Sequence, residues 1–235
     1  INLKFITKIE HGSGSLSRDL KILSLIYKEN VRNIKVLKKS EIPPGVGLKS
    51  SSAYTTSLIG AYAEFKKIKM EKIEIARLSS IVSKQIGISI TGAFDDSIGS
   101  LIDGIPVTDN KKMEILEIHR PFDLPVIITI PNLKRPNNVK DLLISRKKDF
   151  LKAFDHLKKG EIVECANING VAVGRSLGYP VEPILNARKI GALITGYTGN
   201  GPAFFSIAEK DSEHEVMEYM QKFGRTFIVE VYRND

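Results

Sequence analysis

Glu41–Thr56 reads EIPPGVGLKSSSAYTT. The proline pair ends whatever strand precedes it, because proline fixes φ and removes a backbone donor. Gly45 and Gly47 permit a tight turn and a close approach of backbone to ligand. Ser50, Ser51 and Ser52 then lead into an Ala-rich apolar run that reads as a helix. A helix start carries unpaired N–H groups and the positive end of the aligned peptide dipoles. Those ingredients make an anion site, and phosphate is the anion they suit best. A serine hydroxyl there is also the kind of hard oxygen ligand that Mg²⁺ takes. The plain structural alternative is a serine-capped helix start with no ligand.

Two familiar phosphate loops do not fit. The G-x4-G-K-[ST] loop fails because Leu48 stands between Gly47 and Lys49. The G-x-G-x-x-G loop fails because Ser50 occupies the sixth position.

Outward from this stretch, the 235-residue chain suits one large domain or two small ones. At 42% apolar and 26% charged residues it has a globular composition with enough apolar surface for a substantial core. No apolar run reaches the roughly 20 residues of a membrane helix, and no signal-peptide pattern opens the chain, so no membrane partner is expected. Cys165 is the only cysteine and excludes an internal disulfide, which fits a reducing cytoplasmic setting. It lies in a small-residue apolar segment and reads as a buried, inert thiol. The excess of 35 Lys and Arg over 27 Asp and Glu gives +8, compatible with anionic small molecules. No basic block with interleaved aromatics is present, and there is no Trp, so nucleic acid is not expected as a partner. The four histidines, His11, His119, His156 and His214, have no metal-ligand spacing. G-x-S-x-G is absent, so serine hydrolysis has no support.

Along the chain, INLKFITKI alternates as a half-buried strand. SRDLKILSLIYKEN has helical spacing after a serine. NIKVLKKSEI reads as a strand, MEKIEIARLSSIVSKQIG as a helix closed by Gly87, and ISITGAFDDSIGSLIDG as a turn with a short helix. LPVIITIP is a dense apolar strand between prolines, which suggests a boundary near Pro121 and two domains, 1–120 and 121–235. Two helices, Val139 to Lys159 and Glu161 to Leu177, are predicted next. A short helix, two strands about the glycine turn YTGNGP, a helix and a last strand TFIVEVY follow. Strands and helices mix without βαβ alternation, which predicts an α+β fold with largely antiparallel sheets. No feature fixes the oligomeric state. The chain begins at Ile1, inside a strand-like run, and the native protein is expected to extend beyond it on the N-terminal side.

PPGVGLKSSSA resembles the second motif of the GHMP kinases, close to P-x-x-x-G-L-x-S-S-A, with one extra serine before Ala53. ITGAFDDSIGSLIDG resembles the family's central segment, in which an Asp follows a Gly within two or three residues. TGYTGNGPAFFSI resembles the third, glycine-rich motif between two strands. The family's usual first motif is not in this sequence. Within the family, GLKSSSA with TGAFDD is most similar to the archaeal-type shikimate kinases, and VTDN and IPNL add to that similarity.

The resemblance implies a two-domain GHMP kinase fold, with an N-terminal ATP-binding domain and a C-terminal ferredoxin-like domain. It implies ATP and Mg²⁺ as cofactors and transfer of phosphate to the 3-hydroxyl of shikimate, with homoserine and mevalonate as alternative acceptors. Pro44, Gly45, Val46, Gly47, Leu48, Lys49, Ser50, Ser51, Ser52 and Ala53 would wrap the ATP phosphates. Ser51 aligns best with the family's magnesium-binding serine, with Ser50 and Ser52 as neighbours. Lys49 offsets phosphate charge or is simply solvated. Asp95 and Asp96 would point about 100° apart on a helix. Counting three residues from Gly92 favours Asp95 as the base that takes the acceptor's proton, leaving Asp96 to bind Mg²⁺ or cap a turn. Thr91, Gly92 and Asp95 are the expected acceptor contacts. Thr198, Gly199, Asn200 and Gly201 would complete the ATP site, the alternative being a hairpin turn favoured by Asn-Gly. Two other classes remain in view: a GHMP-scaffold binding protein without catalysis, and a basic nucleic-acid-binding protein.

Overall fold

The computed structural model describes residues 3–89 and 92–231. Among them the chain divides into two compact units. One comprises Leu3–Pro44 and Lys49–Pro121. The other comprises Gly45–Leu48 and the chain from Phe122 onward.

In the first unit, β1 (Phe5–His11) pairs antiparallel with β2 (Ile34–Ser40), Ile9 lying opposite Val36. Alternation puts Phe5, Thr7 and Ile9 inward, while Ile6 and Lys8 face water. Helix α1 (Ser17–Tyr27) contributes fully buried Ile22 and Leu23 to the same core, and ends on Lys28 in the left-handed region. Helix α2 (Ser50–Phe65) is buried over most of its girth. Its small residues, among them Ala53, Thr55 and Thr56, let neighbours approach closely. It lies against β1, where Thr7 Oγ1 and Ser57 Oγ are 2.7 Å apart. Helix α3 (Lys72–Gln85) is started by the Glu74 carboxylate, which reaches back to accept the Glu71 N–H at 2.9 Å.

Helix α4 (Phe94–Gly99) is six residues long and is held mainly by what it buries. Phe94 and Ile98 are wholly buried against Ala76 of α3, each such side chain contributing about 1.5–3 kcal/mol. Strands β3 (Ile105–Asp109) and β4 (Glu114–His119) form an antiparallel hairpin with a register shift at Val107 and Thr108.

The second unit holds β5 (Val126–Pro131), α5 (Val139–Ser145), α6 (Lys147–Lys158), α7 (Ile162–Leu177) and α8 (Glu182–Ile190). They are followed by β6 (Ala192–Tyr197), β7 (Phe204–Ala208), α9 (Glu213–Gln221) and β8 (Gly224–Val229). Its four strands lie in the order β6-β7-β5-β8, every pair antiparallel. That is the split βαβ, ferredoxin-like order. Ile127, Ile184, Phe204 and Met220 are the wholly buried centre of its core. Helix α7 crosses β6 with almost no gap: a Cβ on Gly170 would stand 2.4 Å from the Gly196 Cα.

The helix expected over 139–159 is two helices. Arg146 leaves helical geometry at φ −111° and ψ 26°. Its N–H turns to the Leu143 carbonyl at 3.2 Å, and the Ser145 hydroxyl takes the Leu142 carbonyl at 2.7 Å. A serine bonding back to the preceding turn competes with the helix ladder. No helix of the described residues is long and apolar enough to cross a membrane.

Candidate active site

The helix start singled out by the sequence is not serine-capped. Its N-cap is Lys49, in the left-handed region at φ 63° and ψ 23°, with no side-chain cap hydrogen bond. Ser50, Ser51 and Ser52 therefore occupy the first three helical positions. Ser51 is exposed, Ser50 half-buried and Ser52 buried. The Ser52 and Ala53 N–H groups both turn to the Lys49 carbonyl at 3.1 Å. A left-handed non-glycine residue costs about 1–2 kcal/mol.

The Lys49 side chain forms an ion pair with the Asp96 carboxylate on α4, Nζ donating to Oδ1. Asp96 is 17% exposed. Burial pushes its carboxyl above the usual aspartate range, the Lys49 charge pulls it back, and neighbouring Asp95 adds to the rise. Asp95 has a different partner. Its Oδ1 accepts from Asn110 Nδ2 at 2.9 Å, and its own N–H donates to Asn110 Oδ1 at 2.8 Å. Thr108 Oγ1 donates to the same Asn110 oxygen at 3.2 Å. The two adjacent carboxylates thus serve separate contacts, as the 100° helical offset requires.

A buried chain of hydroxyls ties α2, α3 and α4 together. The Thr55 hydroxyl bonds Ser79, and Ser79 bonds Ser97 at 3.1 Å, all three side chains being buried. Thr56 and Ser100 add a 3.0 Å link. Helix α4, which carries both aspartates, is thereby held against the helix that carries the serines. Gly92, an expected acceptor contact, is buried and pressed against Ser80; a Cβ there would stand 2.6 Å from the Ser80 hydroxyl. Its place in the fold is a close approach of backbone. Thr91 lies outside the described residues.

In the other unit, Gly45–Leu48 is knit to the glycine turn at Thr198–Pro202. The Ala203 N–H donates to the Val46 carbonyl at 2.9 Å, and Thr198 Oγ1 donates to the Gly47 carbonyl at 3.1 Å. Gly47 sits at φ 95°, and a Cβ on it would meet the Thr198 and Gly201 carbonyl oxygens at 2.6 and 2.9 Å, so only glycine fits. Tyr179 floors the turn, its hydroxyl donating to the Asn200 carbonyl at 3.0 Å. Arg135 Nη2 donates to the Gly201 carbonyl at 2.9 Å and to the Gly45 carbonyl at 3.3 Å. Within this unit the structure brings Gly45, Val46 and Gly47 together with Thr198, Asn200 and Gly201. Pro44, which belongs to the first unit, and Gly45 are exposed; Leu48 and, at the helix start, Ala53 are buried.

Sequence reasoning did not assign roles to Asn110, Arg135, Tyr179 or the Ser79–Ser97 pair. Asn110 lies in VTDN, a segment that carries part of the family resemblance; the others have no local signal. Among the described residues no group of three or more His, Cys, Asp or Glu side chains is placed to hold a metal. Mg²⁺ characteristically needs only one or two carboxylates with substrate phosphates and water.

A family model described as the GHMP kinases N terminal domain matches residues 18–104. A shikimate kinase of Pyrococcus furiosus is 36% identical over 198 residues, spanning 80% of this chain and 69% of that protein. One of Thermococcus kodakarensis is 31% identical over 233 residues, spanning 93% of this chain and 82% of that protein. Among solved structures, a mevalonate kinase of Methanococcus jannaschii superposes with TM-score 0.70 at 18% identity, covering 92% of this chain and 74% of that one. A homoserine kinase of Cytophaga hutchinsonii gives 0.67 at 18%, covering 90% and 75%. At such identity the two structures speak for the fold.

Proposed function

Since this chain belongs to the GHMP kinases, we propose that it transfers the γ-phosphoryl group of ATP to the 3-hydroxyl of shikimate, giving shikimate 3-phosphate and ADP. The observation that carries the acceptor is the 31–37% identity to shikimate kinases over most of the chain. The geometry supports the reaction class, because phosphoryl transfer asks chiefly for positioning and charge neutralisation.

In this reading the open N–H groups at the start of α2, with Gly45–Leu48 before them, receive the ATP phosphates. Lys49, the N-cap of that helix, would offset charge on the transferring group. Asp96, half-buried and ion-paired with Lys49, is taken as the base. The shikimate oxygen attacks the γ-phosphorus, the bond to the β-phosphate oxygen breaks, and the hydroxyl proton passes to Asp96. Asp95, engaged by Asn110, orients the start of α4 and keeps a carboxylate beside the base. This reading gives the base to Asp96, where the count from Gly92 pointed to Asp95. Mg²⁺, held by Ser51 and an α4 carboxylate with the phosphates, would neutralise charge on the transferring group. The direct test is product identification. Incubation with MgATP and shikimate should give a phosphate resonance coupled to the proton at carbon 3. Phosphorylation at another hydroxyl, or none, would remove the assignment.

A further inference from the structure

We propose that Arg135 is a positioning residue for nucleotide, setting ATP affinity by clamping two carbonyl groups without touching the ligand. The inference rests on the reading of Gly45–Leu48 as a phosphate loop.

Arg135 lies in the loop between β5 and α5, exposed to solvent. Its guanidinium donates through Nε and Nη2 to the Gly201 carbonyl, at 3.3 and 2.9 Å, and through Nη2 to the Gly45 carbonyl at 3.3 Å. The two carbonyls are far apart in sequence and belong to the two glycine segments. A flat group with several fixed donors can serve both at once; an ammonium on a flexible stem does so poorly. A trans peptide is planar, with C=O and N–H on opposite sides. When Arg135 holds the Gly45 oxygen, the Val46 N–H of the same peptide is turned to the other side. The Gly45 and Gly47 carbonyls are then occupied, by Arg135 and Thr198, leaving the Val46 N–H as a donor for an anion. Gly45 has φ 79°, with open space where a Cβ would stand, and its carbonyl is held by the guanidinium. Anion-binding loops work through such orientation of successive N–H groups.

The test combines two readouts. Amide exchange of Ala203 and Gly201 in nucleotide-free protein reports the clamp, since the Ala203 N–H bonds the Val46 carbonyl across the two segments and the Gly201 N–H closes the turn on the Thr198 carbonyl. Affinity for a non-hydrolysable MgATP analogue, with KM and kcat, reports its consequence. In Arg135→Ala, exchange should quicken and the analogue's Kd and the KM for ATP should rise about tenfold or more, as expected for losing charged hydrogen bonds. The effect should concentrate in KM for ATP, leaving that for the acceptor near its starting value. Arg135→Lys should recover little, and added methylguanidinium should recover part. Faster exchange with unchanged ATP affinity would overturn the inference, as would unchanged exchange. A parent protein that binds no analogue would overturn the kinase reading itself, a result separate from either variant's.

Discussion

Lys49, the N-cap of α2, reaches across to form an ion pair with Asp96 on α4, 47 residues away in sequence. The pair joins the helix start read as the phosphate site to the helix that carries both candidate bases. Asp96→Asn should therefore keep nucleotide binding and lose about 10²–10⁴-fold in turnover, the usual cost of a positioned base. Asp95→Asn should cost less and chiefly disturb the Asn110 contact. Near-normal turnover in Asp96→Asn with the large loss in Asp95→Asn would give the role back to Asp95.

The same pair predicts a pH effect with a definite sign. Asp96 must be ionised to accept a proton, so kcat/KM falls as pH drops through its raised pKa. The Lys49 charge opposes that rise. Lys49→Met should move the acid side of the kcat/KM profile to higher pH, besides lowering the rate. A shift to lower pH, or none, would mean that the carboxylate read by the profile is not Asp96.

Ser51→Ala tests the helix start. The side chain is exposed and caps nothing, so the melting temperature should barely change. Turnover should fall strongly and demand more Mg²⁺. Parallel loss of stability and activity would indicate that the serine serves the fold instead.

Ser79→Ala tests the buried hydroxyl chain. It removes the shared partner of Thr55 and Ser97 in a site without water access. The expected cost is about 1–3 kcal/mol of stability, read by denaturant unfolding, with a fall in kcat because α4 loosens against α2. Unchanged stability would show that the chain does not hold α4.

Much of the fold was legible because strands and helices announce themselves by period: β1 by the alternation of Phe5, Thr7 and Ile9, α3 by its helical run closed by Gly87. The phosphate-loop reading was legible from Gly45 to Ser52 for a local reason, the need for glycine and a helix start. The rest depends on contacts distant in sequence. Gly45–Leu48 joins the second unit through Arg135, Thr198 and Ala203, none of which can be matched to it by spacing. Which aspartate meets Lys49 depends on where α4 begins, and left-handed Ala93 at φ 52° sets that start. Gly92 came forward through the family resemblance, and spacing could not show that its backbone lies against Ser80. The break at Arg146 was hidden by apolar residues, Leu142, Leu143 and Phe150, that pack on one core from both helices.

Shikimate as acceptor is tested by ADP release measured on the full chain with MgATP and shikimate, homoserine or mevalonate side by side. Shikimate should show the highest kcat/KM, by about 10⁴-fold, as expected of a site built to hydrogen-bond a substrate's polar groups. A higher kcat/KM for homoserine or mevalonate would contradict it and leave only the kinase class standing.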